Sequence, residues 1–397
     1  MKVMVISQYF YPEQFRVNEI CFELAREGHE ITVLTGLPNY PSGSIRADYR
    51  RFRKRNEIIQ GVKVIRVWLI GRGKSNLRRF LNFASFAVSA MLKALRMKTD
   101  FDIILVYQLT PITMALPGIL LQKLTGKPLV IYCHDLWPAS LMAGNIKPGS
   151  VIYRSVHALS KWIYGRADEI YLSSSQFEHY FRDALGLHKT YHYLPTFAES
   201  VFEDIDDSLG SGREVNLVFT GNIGKFQSVE TIIYAAHELK KDSHIKFHII
   251  GDGASREGCE RLARSLELTN IRFYGQLSVA EIPKYYKMAT ALLVTLKADP
   301  VLSYTLPNKV QSYMAARKPI IGAIDGATRR IIEDAQSGVC TSAEDYKGLA
   351  ELIRKISSDE KQRARYGQNA RAYYDHHFSK NNFFIQLNQL LHKLTRI

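Results

Sequence analysis

Leu217-Val218-Phe219-Thr220-Gly221-Asn222-Ile223-Gly224-Lys225-Phe226-Gln227-Ser228 decides the architecture. An apolar run of strand character ends in a glycine turn, and a helical pattern from 228 to 240 follows at once. Strand, turn and helix in that order form the unit from which parallel sheets are wound. The glycines let backbone amides approach a phosphate, and the helix start adds a favourable partial charge. Gly221, Asn222, Gly224 and Gln227 are expected to touch a bound anion, with Lys225 adding a full charge; a turn that merely closes a strand is the plainer alternative.

Outward from this stretch the pattern repeats. Strands are expected at 2–8, 29–36, 62–68, 101–108, 128–135, 169–175 and 189–195, then at 215–222, 245–253, 271–277, 291–297, 319–324 and 338–341. Helical segments fill most gaps, among them 17–28, 111–125, 256–267 and 307–317. The fold class is α/β, with two Rossmann-like doubly wound parallel sheets. A polar, glycine-bearing linker at 204–214 separates a domain of residues 1–203 from one of 215–380. Ligands of such sheets gather beyond the carboxyl ends of the strands, so the site is expected in a cleft that the two sheets face.

The 397 residues carry a formal charge of +15, and the excess is concentrated. Between Arg46 and Lys98 fifteen Lys and Arg face two acids, Asp48 and Glu57, a patch suited to polyanions. Within it, 80–92 is too short to span a bilayer core that needs about 20 residues. Phe80, Phe83, Phe86 and Ala87 recur at helical spacing there, which fits either a core helix with basic ends or a helix lying on anionic lipid. No zinc-finger, RNA-recognition or helix-turn-helix signature supports nucleic acid as the partner. The chain opens on a strand pattern without signal-peptide character, and Cys21, Cys133, Cys259 and Cys340 are scattered; a reducing, cytoplasmic setting is expected.

Other strand ends carry chemistry. Asp252 and Gly253 close one strand, and Gln276 follows another where backbone groups read a flat base edge. In Ser303-Tyr304-Thr305-Leu306-Pro307-Asn308-Lys309 a polar loop leads to Pro307 at the first helical position. The Thr305 and Leu306 amides are expected to face an anion, and Lys309 to neutralise a leaving diphosphate. In the front half, His134 and Asp135 end a strand and are expected to orient an acceptor or contact a sugar. The loop after the first strand offers Tyr11, Glu13, Arg16 and Asn18, and the next turn Asn39 and Tyr40, as acceptor-binding residues. Walker, nucleophile-elbow and H-E-x-x-H motifs are absent, as is an Asp-x-Asp pair to hold a metal–diphosphate.

Taken with Tyr9-Phe10-Tyr11-Pro12-Glu13, Asp135-Leu136-Trp137-Pro138, Tyr193-Leu194-Pro195-Thr196-Phe197 and Tyr313-Met314-Ala315-Ala316-Arg317-Lys318-Pro319, these features resemble glycosyltransferase family 4 over essentially the full chain. Among its members the chain is most similar to bacterial surface-polysaccharide enzymes of the fucosaminyltransferase type. The resemblance implies a GT-B fold, a donor site in the rear domain, an acceptor site in the front domain and a last helix, 381–397, that returns to the front domain. It implies His134 near the transferred sugar. It implies a retaining transfer from a nucleotide diphosphate-sugar. The donor is expected to carry UDP ahead of GDP and the acceptor to be a lipid-linked glycan; the absent Asp-x-Asp pair points to metal independence, with no other cofactor, and the basic 46–98 region to an anionic membrane surface. Tyr304 and Ser312 stand where the family carries a glutamate pair, and Asn222 replaces a basic residue; both are still placed in the donor site. A nucleotide-sugar epimerase and a non-catalytic nucleotide-sugar-binding protein are the open alternatives.

Overall fold

The computed structural model describes residues 1–51, 53–73, 75–144, 146–205 and 214–395. Two compact units form: one from residues 1–173, 177–194 and the stretch from Gln386, the other from 174–176 and 195–385. Residues 195–203, assigned above to the front half, belong to the second unit, because Ala198 and Phe202 bury in its core with Tyr286 and Tyr313. The expected linker falls largely on 206–213, outside the described residues. The final helix, Lys380–Thr395, divides between the units after Ile385; in the first unit its Asn388 Nδ2 donates to Glu27 Oε2 at 2.8 Å.

The first unit is built on strands β1 (Lys2–Ile6), β2 (Glu30–Gly36), β3 (Asn56–Ile59), β4 (Val62–Val67), β5 (Ile103–Gln108), β6 (Leu129–Cys133), β7 (Glu169–Leu172) and β8 (Tyr191–Tyr193). Their order is β3-β4-β2-β1-β5-β6-β7-β8, parallel except where β3 meets β4. β5, β6 and β7 are buried along their whole length, which explains their unbroken apolar reading. β3 escaped the sequence reading. Its four residues are half covered, and it is held only by a tight hairpin in which Gln60 and Gly61 both take positive φ (48° and 82°).

The helix Asn76–Ala94 buries Asn82, Phe86, Ala87, Ala90 and Ala94. Of the expected stripe, Phe86 and Ala87 lie on that buried face and Phe83 is partly covered, whereas Phe80 is 66% exposed. Asn82 sets the rotation: its Nδ2 donates to Ile70 O (2.6 Å) and its Oδ1 accepts from Gln8 Nε2 (2.7 Å), bonds available only on the inner side. No helix among the described residues is long and apolar enough to cross a membrane.

The second unit contains β9 (Val215–Thr220), β10 (Ile245–Ile250), β11 (Ile271–Gly275), β12 (Ala291–Thr295), β13 (Ile320–Ala323) and β14 (Gly338–Thr341), in the order β11-β10-β9-β12-β13-β14 and parallel at every pairing. Alternate residues of β9 serve opposite faces. Leu217 and Phe219 pack with Ile232 and Leu349, while Val218 packs with Tyr313 and Ile332. Strand order reverses at β1 between β2 and β5, and again at β9 between β10 and β12. Each reversal opens a crevice beyond the carboxyl ends of the strands.

Candidate functional site

In the second unit the loops after β9 and β10 are joined through their backbones. The Gly221 amide donates to Ile250 O, that of Ile223 to Asp252 O and that of Gly251 to Gly275 O, all within 2.8–2.9 Å. Such closeness excludes side chains. A Cβ on Gly251 (φ +145°) would lie 1.8 Å from Gly221 O, and one on Gly253 (φ +157°) 2.5 Å from Ile223 O. The Gly221 amide is thus spent on the sheet and does not face an anion. Asn222 Nδ2 instead donates to Gln227 Oε1 at 3.3 Å, folding the two expected donor-site amides together beside Gly224.

Lys309 enters this loop from the neighbouring element. It begins the helix Lys309–Ala315, one residue after the Asn308 cap and two after Pro307, which lies outside the helix. Its Nζ stands 3.7 Å from the centroid of the buried Phe219 ring and 3.1 Å from where a Gly221 Cβ would be. The side chain is partly covered, but the ammonium nitrogen itself is buried and has no hydrogen-bond partner among the described residues. Desolvation lowers its pKa to about 7. An ammonium held so is stabilised by the ring face and by any anion that reaches the Gly221 turn.

Other expected donor residues are used differently. The amides of Ser303, Tyr304 and Thr305 donate to Asp299, Val301 and Leu302 carbonyls within a 3-10 turn, so the Thr305 amide does not point at an anion. Leu306 is buried in the apolar core. Tyr304 O accepts from Ser174 Oγ at 2.5 Å. Ser312 Oγ donates to Glu199 Oε2 at 3.2 Å, so a carboxylate from the chain segment before β9 stands beside the position where the resemblance placed one. Asp252 Oδ1 caps the Gly253 amide at 2.8 Å. Gln276 and Lys225 are exposed. Arg256 was missed; its helical i,i+4 pairing with Glu260 (2.8 Å) masked it, yet its guanidinium lies 3.0 Å from where a Gly275 Cβ would be, at the end of β11.

In the first unit His134 sits at the end of β6 between the rings of Tyr107 and Tyr132, 4.1 and 4.2 Å away between centroids. Its buried Nε2 has no partner among the described residues, and desolvation lowers its pKa to about 3, which keeps the imidazole neutral. Asp135 is anchored inward instead of outward. Its Oδ2 accepts from Thr110 Oγ1 at 2.8 Å, its carbonyl from Gln108 Nε2 at 3.1 Å, and burial raises its pKa.

Glu13, Asn18 and Asn39 hold the loops that were expected to bind the acceptor. Glu13 Oε1 accepts from the Asn39 and Tyr40 amides at 2.7 and 2.6 Å. Asn18 Nδ2 donates to Glu13 O (2.6 Å), and Asn39 Oδ1 accepts from the Arg72 amide (3.1 Å). Arg16 pairs with Glu19 at 2.9 Å. Tyr11 and Tyr40 alone of the six are exposed, and Tyr40 stacks under the Arg72 guanidinium at 5.3 Å. Desolvation pushes the Glu13 pKa up to about 7. Its raised value means that the folded chain loses stability as pH climbs from 4.5 towards 7, because ionisation is disfavoured where the carboxyl is buried. Glu13→Gln, which keeps the acceptor oxygen without the charge, is expected to melt at or above the wild type at pH 8. Glu13→Ala, which strands two amides, is expected to lose about 2 kcal/mol in denaturant melts.

Residues 14–196 match the model of the glycosyl transferase 4-like domain, and residues 201–373 that of glycosyl transferases group 1. The chain is 26% identical over 387 residues to WcaI of Escherichia coli (strain K12), whose name describes a colanic acid biosynthesis glycosyl transferase; the match covers 90% of this chain and 89% of that one. Among solved structures, sucrose-phosphate synthase from Thermosynechococcus elongatus superposes with a TM-score of 0.76 at 17% identity, covering 99% of this chain and 98% of the other. Anabaena Alr3699/HepE in complex with UDP gives 0.72 at 15%, covering 99% and 100%. At these identities the structural likeness establishes the fold.

Proposed function

The chain is a glycosyltransferase of the GT-B fold, and on that footing we propose that it transfers a sugar, with retained configuration and without a metal, from a nucleotide diphosphate-sugar to a lipid-linked glycan at the inner face of a membrane. The product belongs to a bacterial surface polysaccharide, a reading supported by the likeness to WcaI. A uridine nucleotide is favoured over guanosine, supported by the fold shared with HepE, a protein seen with UDP.

The observation that carries this reading is the buried Lys309 ammonium at the Gly221 turn, which has no hydrogen-bond partner among the described residues. In the reaction the anomeric C–O bond to the diphosphate breaks and a new C–O bond to the acceptor hydroxyl forms on the same face. Negative charge grows on the leaving diphosphate, where a preorganised ammonium lowers the barrier most. The hydroxyl proton passes to the departing phosphate, so no protein base is required. Neutral His134 offers its Nε2 to a sugar hydroxyl.

The test is a panel of UDP- and GDP-sugars, UDP-N-acetylfucosamine among them, read first by thermal shift and then by transfer to polyprenyl diphosphate-linked glycans in EDTA. Transfer that survives EDTA, with the anomeric configuration kept, is expected. An isomerised donor formed without acceptor would instead mark an epimerase. Donor affinity with no transfer to any lipid-linked glycan would mark a binding protein.

A further inference from the structure

The helices Asn76–Ala94, Leu116–Thr125 and Val151–Arg166 lie side by side in the first unit, the middle one packed against each of its neighbours. None contains an acidic residue, whereas Arg78, Arg79, Lys93, Lys123, Arg154, Lys161 and Arg166 are all carried on them. Each also keeps large apolar side chains in solvent. On the first, Leu77, Leu81, Val88, Leu92 and Leu95 (68, 39, 52, 50 and 58% exposed) follow one another at four, seven, four and three residues, one helix face that continues to the residue just past the helix end. That stripe runs opposite the buried one through Asn82, Phe86, Ala90 and Ala94. Leu124 on the second helix and Val151, Ile152 and Trp162 on the third are 45–71% exposed.

A helix layer in a water-soluble domain normally shows one apolar face, turned to the core. Here there are two. Single exposed leucines are ordinary, but rows of exposed apolar residues on neighbouring helices that carry only basic charge are not. The helices are joined by an open groove of about 820 Å³ whose lining includes Met91, Leu120 and Trp162 together with Lys123, Arg166 and Lys189, the last with its ammonium donating to Ala167 O. The one acid of that groove, Asp168, is occupied: its Oδ2 accepts from the Leu129 amide (2.7 Å) and Gln122 Nε2 (3.0 Å).

We propose that this three-helix face docks on an anionic lipid bilayer, its leucine stripe and Trp162 sunk to the level of the acyl chains and its lysines and arginines on the headgroup phosphates. The observation that selects lipid is the combination on one face. Apolar burial alone would suit a second copy of the chain, and basic charge alone would suit nucleic acid. Two like-charged copies of this face would repel, and a nucleic acid would leave the leucines in water. The docking surface thus differs from the basic 46–98 segment taken as a whole: it takes the helix from that segment and adds two helices lying beyond it in the sequence. Docking adds to the membrane-surface acceptor proposed above. Because lipid binding is read without turnover, failure of one is distinguishable from failure of the other.

The full chain is floated with vesicles of phosphatidylcholine alone and with 30% phosphatidylglycerol (about a third anionic lipid, enough to give a strong surface potential). Binding to the anionic vesicles is expected, weakening with salt. Val88→Glu/Leu92→Glu, exposed positions whose folding is checked by circular dichroism, is expected to reduce binding about tenfold or more, and Arg78→Glu/Lys93→Glu to do the same. Wild-type binding that both double variants retain would overturn the proposal. So would dimerisation in sedimentation velocity that Val88→Glu/Leu92→Glu abolishes while vesicle binding is absent, or RNA binding tighter than vesicle binding at the same salt.

Discussion

Lys309→Met is expected to lower kcat/KM for the donor by about 10²–10³-fold, with the fold and melting temperature kept or improved. Activity and stability part company because the ammonium is a burden to the ligand-free chain. Its pKa falls from 10.5 to about 7 on folding. Between those values the unfolded chain holds a proton that the folded chain has released, so the stability of the ligand-free protein rises with pH through that window. Below pH 7 both states are protonated and the desolvation cost is felt in full. A bound diphosphate reverses the balance, since it needs the charged form. Affinity for the nucleoside diphosphate is therefore expected to decline above pH 7, approaching tenfold per pH unit, with proton uptake visible in calorimetry across buffers of different ionisation enthalpy. Lys309→Met is expected to flatten that profile and to remove the rise of stability with pH that Lys309 contributes above 7. A variant with undiminished kcat/KM and an unchanged pH profile would remove Lys309 from the site.

The second large effect belongs to a residue with no side chain. Gly251→Ala is expected to destabilise the second unit by about 2–4 kcal/mol, because its φ of +145° is strained for alanine and its Cβ would meet Gly221 O at 1.8 Å. The melting temperature is then expected to drop by about 5–15 °C. Relief of that clash requires the β9 and β10 loops to separate, which carries the Gly221 turn away from Lys309. Donor affinity should fall with stability, even at temperatures where the variant is folded. Gly258→Ala is the internal control. Position 258 has nothing within 4 Å and lies in the helix Arg256–Ser265, so alanine there is expected to be neutral or stabilising by up to about 1 kcal/mol. Equal behaviour of the two variants would mean that the loop contact carries no donor-site geometry.

Much of the architecture was readable from period and composition. All thirteen expected strands exist, and those buried along their whole length, among them β5, β6 and β12, show as nearly unbroken apolar runs. β3 was not readable, since a short edge strand with a half-covered pattern looks like loop. The strand ends carrying Gly221, Gly253 and His134, and the loop that leads from β12 to Lys309, were also legible, because parallel sheets put their ligand loops after the strands. What those residues do at the ends was not. Asp135, Glu13, Asn39 and the Thr305 amide were chosen for polar chemistry, and each is spent inside the protein on a backbone or loop contact. Residue type announces a hydrogen-bonding capacity; the partner that consumes it comes from elsewhere in the chain.

The sequence by itself determined two parallel α/β sheets, with a glycine turn after one strand and a lysine at the helix start that follows another, because local periodicity and turn chemistry are written in consecutive residues. Only the tertiary structure decided that the Lys309 ammonium, without a hydrogen-bond partner among the described residues, lies against Phe219 and Gly221 from about ninety residues earlier, and that three neighbouring helices of the first unit keep apolar side chains in solvent. Desolvation and surface continuity depend on which distant segments meet, and no window of sequence contains that information.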